Sequence, residues 1–391
     1  MSLGTEQLLA RLVALDTTSS RSNLELIETI ADYLDGHGVA VTLVHDAAGQ
    51  KANLFATIGP AIDGGIVLSG HSDCVPVDGQ RWSTDPFRAV TVGGRIYGRG
   101  TCDMKGFIAC VLALVPEMVA AKPRTPLHLA FSYDEELGCR GVPTLLAKIA
   151  RELPQPRIAI VGEPTGMALV NAHKGIYAFE TVATGLAAHS SQTHEALSAV
   201  VHGAEIVCRL DALARELAAE GPFDAAFTPP YTTINVGRID GGTAVNVVAG
   251  ECRIEWECRP VPGHDVQAVL ARLTEFVEGD LLPRMRARYP DASVVTRRVV
   301  AAPSLVPAAG SPAEALVRRL TSAGPARAVA FATEAGLFQE AGMSAVVVGP
   351  GSIDHAHKPD EHVAIGQLRE CETLLRAVID YARRTEAGQG P

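Results

Sequence analysis

Four short apolar runs constrain this chain most, because each ends abruptly on polar or charged residues. They are GIVLSGHSD (65–73), LHLAFSYDEE (127–136), RIAIVGEP (157–164) and SAVVVGPG (344–351). Runs this short and this apolar read as strands buried on both faces, the usual state of strands in a parallel sheet covered by helices. MKGFIACVLALVPEMVAA (104–121) is apolar enough to be one covering helix, and 5–15 and 24–36 carry helical spacing as well. The expectation is an α/β domain with a mixed, largely parallel sheet flanked by helices. In open sheets of this kind, ligands bind beyond the carboxyl ends of the strands. His71, Asp73, Asp134 to Glu136 and Glu163 fall there, and a histidine-rich loop, SIDHAHKPDEH (352–362), follows the fourth run.

The middle third has a different character. ECRIEWECR (251–259) alternates strictly, with Cys252, Ile254, Trp256 and Cys258 on one face and Glu251, Arg253, Glu255, Glu257 and Arg259 on the other. That is a strand with one wet face, typical of an antiparallel sheet. Segments 177–184, 231–239 and 293–300 read as further strands, and 195–218 and 264–286 as helices. In the second helix Val266, Val269, Leu270, Leu273, Phe276 and Val277 form one apolar stripe. The order strand-helix-strand-strand-helix-strand predicts a small α+β, ferredoxin-like domain at 176–299. It is inserted into a discontinuous α/β domain made of 1–175 and 300–391. At 391 residues the chain exceeds what one core usually serves. Only 386–391 reads as a loose tail.

A net charge of −10, with no basic stripe, speaks against nucleic acid or an anionic membrane as partner and favours a small-molecule ligand. The N-terminus lacks the cationic and long apolar regions of a signal peptide, and no stretch reaches the roughly 18 apolar residues of a membrane span. A cytoplasmic location is the expectation. Eight cysteines without a CxxC pair read as reduced, mostly buried thiols.

His71 and Asp73 stand two apart, so on a strand they face one side, where an imidazole and a carboxylate serve a metal. Asp103 sits in a glycine-rich turn before the apolar helix, and Asp134, Glu135 and Glu136 directly follow a buried strand. Carboxylates converging from 103, 136 and 163 repel one another and take up protons unless a cation neutralises them. By charge counting, about −3 from such ligands against +4 from two zinc ions leaves room for a hydroxide. Nitrogen and oxygen donors without cysteine match catalytic zinc, with cobalt or manganese as alternatives. Spacing alone does not separate His355 from His357.

SGHSDCVPV, YGRGTCDMKG, SYDEELG, VGEPT, AAHSS and GPGSIDHAHKPDEHV, in this order, resemble the motifs of a co-catalytic zinc hydrolase family. Its members include aminoacylases, desuccinylases, glutamate carboxypeptidases and acetylornithine deacetylases, and the resemblance spans nearly the whole chain. It implies that His71 and Glu163 hold one metal, Glu136 and His357 the other, and Asp103 bridges them. It further implies that Asp73 orients His71 and that Glu135 is the general base, taking a proton from the attacking water and passing it to the leaving amine. His189, in GLAAHSSQT, is implied to stabilise the oxyanion, commonly from the partner subunit of a homodimer built through the inserted lid and dimerisation domain. Arg259 is implied to grip a substrate carboxylate, with Asn246 assisting. His355 is not a ligand in the family pattern.

Within the family, GQKANLFATIGP (49–60), FATEAGLF (331–338) and GPGSIDHAHKPDE (349–361) look most like the acetylornithine deacetylase branch. Glu334 is then a candidate partner for a substrate amine, although a glutamate at a helix start is the plainer explanation. Other N-acyl-amino-acid deacylases, desuccinylases and dipeptidases are the near alternatives. A cysteine hydrolase using Cys74 or Cys102, and a metal-stabilised binding protein without turnover, are the distant ones. Neither accounts for the acidic motifs and Glu135 together.

Overall fold

In the computed structural model, which describes residues 3–321 and 324–386, each of the four apolar runs becomes a strand. The segment 387–391 of the expected tail lies outside the described residues. Leu127–Ser132, Ile66–His71, Ile158–Val161 and Ser344–Val347 lie side by side in that order, and all are parallel. They form the middle of an eight-stranded sheet. Val41–His45 and Ala52–Ile58 extend it antiparallel on one side, and Val170–His173 and Arg327–Val329 extend it on the other. Every residue of Leu127–Ser132, Ile66–His71 and Ile158–Val161 is buried, which is why the runs carry no alternation.

Register places the chemistry. His71 pairs with Ser132 across the parallel ladder, so the segment Tyr133 to Glu136 begins level with the histidine. Ser69 pairs with Val161, which puts Glu163 just past the end of its strand on the same edge. The helix Lys105–Ala113 covers this sheet and is buried from Lys105 through Leu112. Its one charge is satisfied: Lys105 Nζ donates to the carbonyls of Leu12 and Leu15 at 3.1 and 2.9 Å. The helix also approaches the sheet closely, because a Cβ on Gly162 would lie 2.0 Å from Phe107 Cγ. Glycine at 162 is therefore required by contact.

Two helices differ from expectation. The single helix expected at 104–121 is two, Lys105–Ala113 and Val115–Ala121, with Pro116 in the first turn of the second. Proline has no N–H to continue the ladder, so the chain restarts there. The stretch 264–286 is likewise divided, with a π turn at Val277–Leu281 between Val266–Phe276 and Leu282–Arg286, the last opening on Pro283.

The chain divides into two compact units, one made of Met1–Ala172, Leu305–Ala328 and Thr333–Pro391, the other of His173–Ser304 and Val329–Ala332. The smaller unit holds a four-stranded antiparallel sheet in the order Thr233–Gly241, Glu251–Arg259, Ile176–Thr184, Ser293–Ala302. Its helices are Ala199–Glu220 and the divided helix after Val266. Trp256 stacks on Phe179 at 4.4 Å and donates to Thr181 Oγ1 at 3.0 Å, so the one polar atom on the indole is paired inside the core. No helix among the described residues is long and apolar enough to cross a membrane.

Candidate active site

Beyond the carboxyl edge of the large sheet, His71 donates from Nδ1 to the Asp73 carbonyl at 3.0 Å and from Nε2 to Asp103 Oδ1 at 2.9 Å. Glu163 Oε1 lies 3.9 Å from the same Nε2. On the other side of Asp103, His357 Nε2 stands 3.3 Å from Oδ2 and donates to Glu136 at 3.0 Å. The two oxygens of one carboxylate thus face two different histidines. Candidate donor atoms of His71, Glu135 and Glu163, and separately of His71, Asp103 and Glu136, lie within 4.8 Å of one another.

Asp73 differs in part from the expected role. Its main-chain carbonyl is the nearer partner of His71, while its carboxylate Oδ1 stands 3.5 Å from the ring. The carboxylate instead accepts the amide protons of Glu135 and Glu136 at 3.1 and 3.3 Å, and the Ser19 hydroxyl at 2.7 Å. One buried aspartate therefore fixes both the imidazole and the acidic segment.

The charges are unstable without a cation. Burial, with Asp103 adding repulsion, pushes Glu163 well up and Glu136 up, and burial also pushes Glu135 well up. Burial opposes ionisation of Asp103 too, but the bonds from His357 and His71 outweigh it and hold this carboxyl low. The bonds to Asp103 and Glu136 raise His357 to about 10, and, against the opposing effect of burial, the bonds to Asp103 and Asp73 raise His71. Glu163 Oε1 is buried without a hydrogen-bond partner among the described residues. An orphaned carboxylate oxygen beside Asp103, Glu136 and two imidazoles is a donor set that suits divalent cations, and no thiol belongs to it.

The histidine-rich loop separates in space. His355 turns its ring onto His362, with centroids 4.2 Å apart, and His362 lies against Tyr97, whereas only His357 reaches the acids. Glu334 faces inward. It is fully buried and its carboxylate accepts from Ser132 at 2.5 Å and Ser69 at 3.3 Å, and it makes no side-chain cap for the helix it precedes. Burial raises it to about 7. Both of its carboxylate oxygens are thus engaged by serines on the two strands that lead to His71 and to the acidic segment Asp134 to Glu136.

Cys74 and Cys102 are buried, and burial raises both thiols, which leaves them protonated and poor nucleophiles. All eight cysteines are free and only Cys208 is exposed.

In the smaller unit, the short strand at Ala188–His189 pairs with Val247–Val248, and Ser190 N–H donates to the Asn246 carbonyl at 3.0 Å. His189 and Asn246 are thereby neighbours. The Ser191 amide donates to His189 Nδ1 at 3.2 Å, which makes Nδ1 the acceptor and Nε2 the donor in the neutral ring. Arg259, at the end of its strand, donates from Nε and Nη2 to Glu257 at 2.9 and 3.3 Å.

Sequence reasoning missed several supports. Ser19 beneath Asp73, Cys139 donating to Glu135 Oε1 at 3.4 Å, and Glu361 accepting from the amides of Cys102 and Asp103 come from separate stretches of chain. Glu361 lay inside the histidine-rich loop, where a glutamate in a charged segment carries no sign of being buried.

Residues 67–381 match the model of peptidase family M20/M25/M40. The chain is 38% identical over 389 residues to an acetylornithine deacetylase of Myxococcus xanthus, covering 95% of this chain and 96% of that protein. Among solved structures it resembles an M20 family metallo-carboxypeptidase of Sulfolobus solfataricus, with TM-score 0.73, 18% identity and coverage of 96% and 98% of the two chains. It also resembles the Bacillus subtilis protein YXEP, a dinuclear metal binding peptidase, with TM-score 0.65, 15% identity and coverage of 97% and 99%.

Proposed function

We infer the reaction of this chain from one premise: it belongs to peptidase family M20/M25/M40. It is accordingly a metal-dependent amide hydrolase. The substrate we propose is N2-acetyl-L-ornithine, cleaved to L-ornithine and acetate in arginine biosynthesis in the cytoplasm. Similarity along 95% of the chain to the Myxococcus xanthus acetylornithine deacetylase supports that choice over the other N-acyl amino acids and dipeptides of the family.

The observation that carries a two-cation reading is the placement of Asp103, with Oδ1 toward His71 and Oδ2 toward His357. His71 and Glu163 would hold one ion, His357 and Glu136 the other, and Asp103 both. Zinc is our first choice of ion, with cobalt and manganese as alternatives by donor type. When bound, the ions supply Lewis acidity toward the amide carbonyl and make water acidic enough to attack it. Glu135 is adjacent in sequence to a ligand, and its amide is anchored by Asp73, so its carboxylate is held at the reacting centre. It takes the proton from the attacking water and returns it to the departing amine. Asp73 and its hydrogen bonds hold the Nδ1 proton of His71, which directs Nε2 at the metal position.

The inserted domain, 176–299, acts in our reading as lid and dimerisation element of a homodimer. His189 offers Nε2–H to the oxyanion, with Asn246 beside it, and Arg259 meets the substrate carboxylate once it exchanges Glu257 for it.

Turnover of acetylornithine, acetylcitrulline, acetylmethionine and succinyl-diaminopimelate, measured alongside metal analysis, tests the assignment. Acetylornithine is expected to have the highest kcat/KM and two ions are expected per chain. Preference for another member of the panel removes the substrate assignment. Glu135→Gln is expected to lower kcat by about 10²- to 10⁴-fold with both ions retained; substantial residual turnover assigns the base elsewhere.

A further inference from the structure

The side chains that hold Asp103 and His357 in place form a closed circuit. Glu361 is 1% exposed, and its Oε1 accepts the amide protons of Cys102 and Asp103 at 2.9 and 3.1 Å. Its other oxygen accepts from Arg99 Nη1 at 2.6 Å, and Arg99 is itself 1% exposed. Arg99 Nη2 donates to Gln80 Oε1 at 2.6 Å, and its guanidinium lies 5.0 Å over the Trp82 ring. Gln80 Nε2 then donates to the main-chain carbonyl of His357 at 3.1 Å. The contact between His357 Nε2 and Asp103 Oδ2, at 3.3 Å, closes the loop.

We propose that Arg99, Glu361 and Gln80 are positioning residues that hold Asp103 and His357 at the spacing a pair of divalent cations requires. The proposal rests on the reading of those two residues as ligands. The backbone supplies one reason for such a device. His357 and Asp360 both have positive φ, 61° and 58°, a region costly for residues other than glycine. The loop therefore needs ties, and Ser83 adds two more by donating from its amide and hydroxyl to Asp360, each at 2.8 Å.

Charge supplies the second reason. Asp103 already stands among Glu136 and Glu163, so a further bare carboxylate beside its amide would add to the repulsion. Arg99 neutralises Glu361 while leaving Oε1 directed at the two amides, and the brace then brings no net charge. Gln80, uncharged and bonded through both ends of its amide, carries the constraint across to His357.

The test uses the metal-free full-length wild type, Glu361→Gln, Gln80→Ala and Asp103→Asn. Each is titrated with Co²⁺ while its absorption spectrum is followed, and with Zn²⁺ in competition with a chromophoric chelator. Thermal unfolding of each metal-free protein is recorded in parallel. Both Glu361→Gln and Gln80→Ala are expected to bind about 10- to 100-fold more weakly with altered Co²⁺ bands, as the loss of a ligand's support does elsewhere. Gln80 is half-buried and Arg99 keeps its bond to Glu361 in Gln80→Ala, so that variant is expected to fold, with only a small drop in unfolding temperature. Wild-type affinity and spectrum in Gln80→Ala overturn the proposal, including the case in which Glu361→Gln does not fold. Asp103→Asn isolates the premise: if it keeps both ions, the ligand assignment fails, whereas if it loses them and Gln80→Ala does not, only the circuit fails.

Discussion

The strand Ile66–His71 is buried at every position, whereas Glu251–Arg259 buries Cys252, Ile254, Trp256 and Cys258 and leaves Glu251 and Glu255 in solvent. In the large unit several charges are enclosed, and these find hydrogen-bond partners. Lys105, Arg99, Glu361 and Asp73 are all buried and all hydrogen-bonded. In the smaller unit the charges share the less buried face: Glu180, half-buried, lies between the more exposed Arg253 and Arg297 from the strands on either side. Similar carboxylate–arginine pairs therefore carry different weight. A buried pair broken on one side leaves an uncompensated charge, and an exposed one is replaced by water.

Arg99→Met is the severest test of this difference. It strands Glu361 in the interior and is expected to cost about 3–5 kcal/mol in urea unfolding of the metal-free protein. A loss no larger than that of a surface substitution would erase the contrast. Trp256→Ala probes the other side, since the smaller unit is held by its apolar face. A cost of about 3–5 kcal/mol is expected there, from the cavity left against Phe179.

His128 sharpens the comparison through pH. It lies on the buried strand Leu127–Ser132, and burial lowers it from 6.5 to about 4. The unfolded chain then binds the proton more readily, so the contribution of the neutral ring is complete above about pH 6.5 and is lost as pH falls toward 4. A shift of that size corresponds to roughly 3 kcal/mol. Urea midpoints between pH 7 and 4.5 are expected to fall more steeply in wild type than in His128→Gln. The smallest effect is expected for Glu180→Gln, on the less buried face, with an unfolding midpoint close to wild type; a large drop would show that the smaller sheet depends on its charges.

The two faces also explain how much was legible beforehand. Strict alternation in 251–259 identified a half-exposed antiparallel strand, and four unbroken apolar runs identified the parallel centre of the large sheet, because burial leaves its period in the sequence. Helix continuity was less legible. The breaks before Pro116 and Pro283 depended on how the chain repacks where a backbone donor is missing. At the site, the acids were visible because several carboxylates followed strands too apolar to be exposed. Their supports were not, since Ser19, Gln80, Arg99 and Glu361 are ordinary surface residue types whose burial arises only when distant segments meet.

The amino-acid sequence by itself determined the layers of the large unit, the residue types available to a metal and the strand ends where they gather. Local pattern suffices there, since side-chain period and strand termination are properties of a few consecutive residues. Tertiary structure brought His357, already singled out by the family motif but not by spacing, to the acids, turned Glu334 inward onto two serines, and gave Asp73 the amides of Glu135 and Glu136. Those outcomes depend on distances between residues tens to hundreds of positions apart, and spacing along the chain carries no information about them until the sheet brings its edges together.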